Sequence, residues 1–445
     1  MKDDPVTPGG TPLSPHPLRA AVLGELHARP FTPLETPRRI LHYAFMIDPA
    51  AAQAERAALA AFCAASGVEP PAPTAKHHRC RIGSATLRWE NHAEFSTYTW
   101  ELPAPGGQPF TPKASAIPNV MASVPQPGPL LVAIDLHLVN ESAAVAPELL
   151  FDRASLARAR VLDGIAQIAT DFQPDQAGFV RLLVVDRGLK PDRAGALVQR
   201  VLEIETYRTL ALLGLPEAQR LAPAVQRIEK QLAQLTHEMR GTQGLAANHK
   251  LLDELTALAA ALEADSAGAA FRFGANRAYH EIVRLRLATV GEQAVSGFPT
   301  WSQFLERRMA PAMRTCTSIE ARQGTLSEKL ARTAQLLRTR VEVELEQQNR
   351  DLLQSMNERT RLQLRLQWTV EGLSVAAISY YVIGLLLYLF KGIHDSGLDA
   401  RVGAKLDPEL GVAIAVPFVV VLVALVVRSV RGRHIERTDQ TEKSS

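Results

Sequence analysis

The sequence predicts an α+β protein: an N-terminal α/β domain, a helical module, a long stalk helix and a C-terminal two-helix transmembrane hairpin. Alternating apolar residues before residue 190 predict the α/β domain, and helical periodicity after it predicts the helical module and the stalk. Two apolar runs near the C-terminus predict the transmembrane hairpin. The chain has 445 residues, 47% of them hydrophobic, enough for more than one core. Because 49 basic residues nearly balance 46 acidic ones, no nucleic-acid partner is expected.

The first 190 residues divide into a polar start and a strand-rich domain. Residues 1–17 are rich in proline and lack an apolar core like that of a signal peptide, so we expect a disordered cytoplasmic start. An α/β domain is predicted over residues 18–190, with an alanine-rich helix in "PAAAQAERAALAAFCAAS". Strand character is found at 38–47, 84–102, 130–139, 161–172 and 179–186.

Cysteine usage gives no sign of a metal or disulfide framework. Cys63, Cys80 and Cys316 are far apart and form no C-x-x-C pair, so neither a disulfide framework nor a thiolate zinc site is indicated. Cys63 is expected to be a core thiol, and "KHHRC" at 76–80 is interpreted as a loop, with a zinc site as the less favoured alternative.

After residue 190 the pattern becomes helical. A helical module is predicted over residues 191–299, with one helix near 248–264 and a continuation of the pattern in "NRAYHEIVRLRLATV", and a stalk helix is predicted over 300–369. Continued through the first membrane span, a helix over 312–390 would be about 118 Å long at ~1.5 Å per residue. Apolar residues recur at eleven-residue steps, which favours straight or slightly right-handed association. The steps join Leu330 to Val341 and Leu352, Ala334 to Leu345 and Met356, and Leu326 to Leu337.

Two apolar runs predict a membrane hairpin with transmembrane helices at 370–390 and 410–427. An external loop, 391–409, joins them, and a basic cytoplasmic tail follows at 428–445. The alternative, two buried helices of a soluble protein, is disfavoured because both runs end in basic clusters. Arginines flank the hairpin on both sides, so the positive-inside rule places both termini in the cytoplasm.

The first span carries a polar stripe formed by Glu371, Ser374, Tyr381 and Tyr388. Polar groups are costly in hydrocarbon unless they meet a partner. The stripe is therefore expected to pack against the second span or a neighbouring subunit, with the lining of a pore as the alternative.

Histidines are the only candidate metal ligands. His42, His92 and His137 fall on three candidate strands, and with His27 they would form a metal site if those strands were neighbours; ordinary core histidines are the alternative. No phosphate-binding loop, G-x-S-x-G elbow or H-E-x-x-H motif occurs, so neither a cofactor nor an enzymatic activity is predicted.

Four stretches together resemble an uncharacterised family of bacterial membrane-anchored proteins, known only as a domain of unknown function: "ELHARPFTPLETPRR", "LRWENHAEFSTYTW", "VLEIETYRTLALLGLPEAQ" and "TVEGLSVAAISYYVIGLL". The resemblance implies membrane anchoring and supplies no activity. The order of domains is also similar to that of CorA-type magnesium channels, which are oligomeric rings whose first span lines the pore. This chain has "LFKGIHDSG" where their Gly-Met-Asn signature would follow that span.

Two functional hypotheses follow. The first is a scaffold or regulatory module of the bacterial inner membrane, a homo-oligomer in the lipid bilayer that holds an unknown cytoplasmic partner. The alternative is a CorA-like oligomeric cation channel or transporter, in which the polar stripe lines the path. A third possibility is a metal sensor or enzyme that uses the four histidines.

Overall fold

In a computed structural model of the chain, residues 15–19, 22–23, 31–104, 108–110, 120–121, 124, 126–395 and 408–442 are described. Most of the predicted disordered start, most of the predicted external loop, and His27 lie outside the described residues. In the described part of the chain, nine strands and six long helices form an α+β fold, which confirms the predicted class.

The strands form a single sheet in the order β2-β3-β4-β1-β5-β8-β7-β6-β9. Every neighbouring pair is antiparallel except β5 and β8, which are parallel. The strands are β1 Arg38–Met46, β2 His77–Ile82, β3 Ala85–Asn91, β4 Phe95–Pro103, β5 Leu130–Asn140, β6 Ala157–Val161, β7 Ala166–Thr170, β8 Val180–Asp186 and β9 Gln293–Ala294.

Three sequence interpretations are corrected by the sheet. The segment predicted as one strand at 84–102 is the hairpin of β3 and β4, because the chain turns at residues 92–94. The strand-like segment at 161–172 contains the end of β6, a short 3₁₀ turn and β7. The "KHHRC" segment, interpreted as a loop, lies mostly in β2 at the edge of the sheet, where pairing with β3 on one side satisfies its backbone.

Six helices accompany the sheet: α1 Pro49–Ala65, α2 Pro191–Leu212, α3 Gly214–Gly241, α4 Leu245–Val290, α5 Trp301–Asp395 and α6 Pro408–Glu442. Helix α1 begins where the Asp48 side chain accepts a hydrogen bond from the Ala51 amide at 2.7 Å, an N-cap of the usual kind. Helix α4 is a single element, although the pattern suggested a helix near 248–264 and a separate continuation.

The two faces of the sheet have different characters because residues alternate along each strand. On β1, Leu41 and Tyr43 face α1, together with Trp89, Tyr98 and other aromatic residues. The opposite face packs against α2, α4 and the start of α5, where residues such as Ile40 and Trp301 are fully buried. One half of this second face, on β1, β3 and β4, is polar.

The chain divides into two compact units. The first comprises Met1–Gly241 and Leu251–Gln335, and the second comprises Thr242–Lys250 and Leu336–Ser445. Among the described residues, the helices Trp301–Leu389 and Glu409–Ser429 include stretches long and apolar enough to cross a membrane.

Candidate functional site

The polar half of the sheet forms a site centred on His42. In the strand register, His42 lies beside Thr99, and Thr99 lies beside Arg88. The ring of His42 is held between two hydroxyls: Nδ1 is 2.8 Å from Thr99 Oγ1, and Nε2 is 3.1 Å from Thr206 Oγ1 on α2. Arg88 donates to Gln199 on the same helix at 3.3 Å. These contacts dock α2 on the sheet through hydrogen bonds.

Beside this polar layer lies an aromatic cleft of about 410 Å³. The ring of His92 stacks on that of Phe95, with centroids 4.1 Å apart. Phe95 meets Tyr207 edge-on, and Tyr207 stacks on Tyr279 at 5.6 Å. Lys76 also lines the cleft. The cleft therefore offers flat aromatic surfaces together with polar and cationic groups, a combination suited to binding a small polar molecule.

A buried carboxylate fixes the loop that carries His92. Glu94 is 7% exposed and receives two hydrogen bonds from Arg272 on α4, at 2.6 and 3.1 Å, and one from the Tyr279 hydroxyl at 2.7 Å. Burial, followed by the hydrogen bond to Glu94, raises the pKa of Tyr279, so this hydroxyl remains a donor at neutral pH. The cleft walls from the sheet and from α4 are thus joined by charge-assisted hydrogen bonds.

Electrostatics keeps His42 neutral. Burial, with smaller contributions from the neighbouring Arg88 and His92, lowers the pKa of His42 to about 3. Both ring nitrogens already contact threonine hydroxyls. We therefore interpret His42 as a structural residue that holds α2 against the sheet.

The other predicted histidines lie elsewhere. His137 is buried on the face of the sheet opposite His42, since its neighbour on β1 is Arg39 whereas His42 lies beside Ile134. Its Nε2 is 3.4 Å from Asp135, and Asp135 receives two hydrogen bonds from Arg39 at 2.9 and 2.7 Å. Burial opposes ionisation of Asp135, but the neighbouring His137 and Arg39 lower its pKa overall. His42, His92 and His137 do not form a ligand cluster in the part of the chain that is described.

The described residues contain a different group of potential metal ligands, formed by Cys63, His78 and Cys80. Cysteine spacing did not reveal this group because Cys63 lies on α1 and the other two residues lie on β2. The local signal was the alternation of His78 and Cys80, which places both side chains on one face of a strand.

The four residues of the predicted polar stripe of the first span differ in their burial. Glu371 and Ser374 are half-buried, and Ser374 Oγ donates to the Val370 carbonyl at 2.8 Å. Tyr381 and Tyr388 are 72% and 77% exposed, whereas Ser379, on another side of the helix, is 4% exposed. The buried residues of α6, Val412, Val419 and Val423, likewise follow one side of that helix. Such one-sided burial is the pattern of two spans packed together, and the two tyrosines lie away from it.

The comparisons with known proteins concern almost the entire chain. A family model described as "Protein of unknown function (DUF3422)" matches residues 14–434. The chain belongs to this family. No curated protein and no solved structure matches it, so the architectural resemblance to CorA-type channels gains no support. The DUF3422 family model matches residues in both compact units, and its description assigns no activity to either unit.

Proposed function

We propose that this DUF3422 protein is a membrane-anchored module that associates with copies of itself through α5 and holds its sheet domain at the cytoplasmic face of the bacterial inner membrane. Its role is that of a scaffold or regulator. The observation that carries the proposal is an apolar stripe on α5 that is buried at first and then continues uncovered.

The covered part of the stripe lies early in the helix. In the first unit, Leu326 and Leu330 are 3% and 1% exposed, and in the second unit Leu337 is fully buried. Further along, Leu345, Leu352 and Met356 are 40%, 60% and 57% exposed. Burying one such side chain contributes roughly 1.5 to 3 kcal/mol, so an uncovered row of them favours association.

A second copy of the chain is the partner that best fits this stripe. The eleven-residue spacing places the exposed residues in line with the buried ones, and such a repeat is typical of helices that associate with one another. The exposure of Tyr381 and Tyr388 also favours a second copy as the partner. A hydroxyl held within hydrocarbon is stabilised when a neighbouring helix offers it a hydrogen-bond partner.

The bilayer is the second partner in this proposal. Arg359, Arg361 and Arg365 precede the first span, and Arg428 and further arginines follow the second. By the positive-inside rule both ends of the hairpin face the cytoplasm, which puts the sheet domain there as well. The aromatic cleft around His92 then gives a regulatory role its ligand site, and an unidentified cytoplasmic protein is the expected target of a scaffold.

The test is the mass of the full-length protein in mild detergent, measured by native mass spectrometry or light scattering. We expect a dimer or larger oligomer, and we expect Leu352→Gln with Met356→Gln to shift the mass towards the monomer. The matched control is Leu336→Gln with Val343→Gln, two residues that are 59% and 61% exposed and lie on the opposite side of the helix. A monomeric wild-type protein, or equal effects in both double variants, would refute association through the stripe.

The alternative function is an oligomeric cation channel in which Ser374, Tyr381 and Tyr388 line the path and Glu371 marks its cytoplasmic mouth. The exposure of the two tyrosines in the single chain favours it. A channel of this kind requires a symmetric ring, so a mass corresponding to a dimer rejects it, and a pentamer-sized mass supports it.

A further inference from the structure

Helix α1 and the edge strand β2 bring two thiols and an imidazole together. The Sγ atoms of Cys63 and Cys80 and a ring nitrogen of His78 lie within 4.8 Å of one another. Cys63 is fully buried, and Cys80 is 9% exposed. Because His78 and Cys80 are two positions apart on a strand, both side chains point to the face that α1 covers.

The histidine lacks the partner that a buried nitrogen normally has. The Nε2 atom of His78 is inaccessible to solvent and makes no hydrogen bond. Buried polar atoms are nearly always paired, and one that is not calls for a physical reason such as an ion. Two thiols beside it offer no strong donor or acceptor, since S–H groups form only weak hydrogen bonds.

We propose that Cys63, His78 and Cys80 bind a zinc ion that joins α1 to β2. Two thiolates and one imidazole suit this borderline-soft cation, and neighbouring ligand atoms in a tetrahedral zinc site lie about 3.5 Å apart, given bonds of ~2.0 to 2.3 Å. Side-chain adjustments of about 1 Å therefore convert the cluster into a site. A water molecule or a further ligand completes the coordination.

Zinc also changes the chemical state of the two thiols. Without metal, burial raises the pKa of Cys63, and burial together with the neighbouring Cys63 raises the pKa of Cys80 to about 12. Both groups are then protonated and unreactive at neutral pH. When zinc binds, each thiol releases one proton and the sulfurs become thiolate ligands, while a ring nitrogen of His78 donates its lone pair to the metal.

The site has a structural role in this proposal. Among the described strands, β2 lies at the edge of the sheet: it pairs with β3, and no described strand lies on its other side. Metal ligation ties this strand to the last turns of α1, across the aromatic cluster that both elements cover. Removal of zinc should loosen β2 before the rest of the sheet.

The experiment measures bound metal in the purified full-length protein, incubated with zinc, dialysed and analysed by plasma mass spectrometry. We expect about one zinc per wild-type chain, and a loss of at least 80% of it in His78→Ala and Cys80→Ser. Two matched controls retain it: His77→Ala, an exposed neighbour on the same strand, and Cys316→Ala, a buried cysteine on α5.

A second measurement guards against variants that fail to fold. Wild-type protein loaded with Co²⁺ should show the charge-transfer absorption of thiolate-bound, tetrahedral cobalt, and added zinc should abolish it. Wild-type protein with less than 0.2 zinc per chain, equal zinc in His78→Ala and His77→Ala, or a disulfide between Cys63 and Cys80 in non-reduced peptides would each overturn the proposal. Failure of self-association leaves these readouts unaffected.

Discussion

At the scale of single residues, the first unit buries polar side chains in sets with several partners. Glu55 on α1 is 4% exposed, and its Oε1 accepts hydrogen bonds from the Trp89 indole at 3.1 Å, from Ser96 at 2.5 Å and from Tyr98 at 2.8 Å. Such a carboxylate orients the aromatic side chains around it, because each donor is directed to one atom. Burial and the nearby Glu55 raise the pKa of Tyr98, which keeps its hydroxyl protonated.

His42 makes the stability of the first unit sensitive to acid. Burial holds its pKa in the folded state at about 3, below the 6.5 of an unperturbed imidazole. The contribution of neutral His42 to the unfolding free energy is complete above pH 6.5. It is lost as the pH falls towards 3, by about 1.4 kcal/mol per pH unit. Between pH 7.5 and 5 we therefore expect wild-type protein to lose about 2 kcal/mol more unfolding free energy than His42→Gln.

The glutamine variant is suited to this comparison because its amide can still contact Thr99 and Thr206 but does not titrate. The measurement is urea unfolding of the full-length protein in detergent at both pH values, followed by tryptophan fluorescence. An identical pH dependence in the two proteins would contradict the assignment of the effect to His42.

At the scale of elements, close backbone contact fixes the position of α2. A Cβ atom added to Gly195 would lie 1.8 Å from the carbonyl oxygen of Thr32, and the Leu34 amide donates to the Pro191 carbonyl at 3.0 Å. The helix thus rests directly on the extended chain before β1. This contact, with the hydrogen bonds to His42 and Arg88, sets one wall of the cleft.

Gly195→Ala tests the contact. Because the opposing atom belongs to the backbone and cannot rotate away, we expect a loss of about 2 kcal/mol or more in unfolding free energy. Gly268→Ala on α4 is the control: a Cβ there meets open space, and the better helix propensity of alanine should stabilise the protein by about 1 kcal/mol. Urea midpoints of the two variants give the comparison, and a neutral Gly195→Ala would show that α2 can shift.

At the scale of the whole molecule, two helices with stretches apolar enough to cross a membrane follow the sheet in a chain that belongs to the DUF3422 family. Three proposals depend on this arrangement: anchoring, self-association and a cytoplasmic sheet domain. The other two proposals depend on anchoring, because the bilayer limits how the stalk helices of two copies can meet.

Anchoring predicts how truncated chains distribute between membrane and supernatant. A chain ending at residue 369 lacks both spans and should appear in the supernatant after carbonate extraction, while wild-type protein remains in the membrane. A chain ending at residue 407 retains the first span, at about 20 residues enough to cross the hydrocarbon core, and should also remain. Retention of the shorter chain in the membrane fraction would place the anchor elsewhere.

Local periodicity predicted much of this fold. Strand patterns at 38–47, 130–139 and 179–186 correspond closely to β1, β5 and β8, and the alanine-rich segment to α1. The hairpin at 84–102 was not resolved into two strands because apolar alternation continues across its short turn. The great length of α4 was also missed, since its packing overrides the breaks in its pattern.

The sequence by itself determined the α+β class, the long stalk helix and the two apolar runs, because each depends on residues adjacent along the chain or one turn apart. Only the tertiary structure decided which side chains meet. It put His42 and His137 on opposite faces of one sheet, built the cleft from β4, α2 and α4, and brought Cys63 to His78 and Cys80. Strand order and helix docking join positions distant in sequence, and they are selected by burial of the whole core.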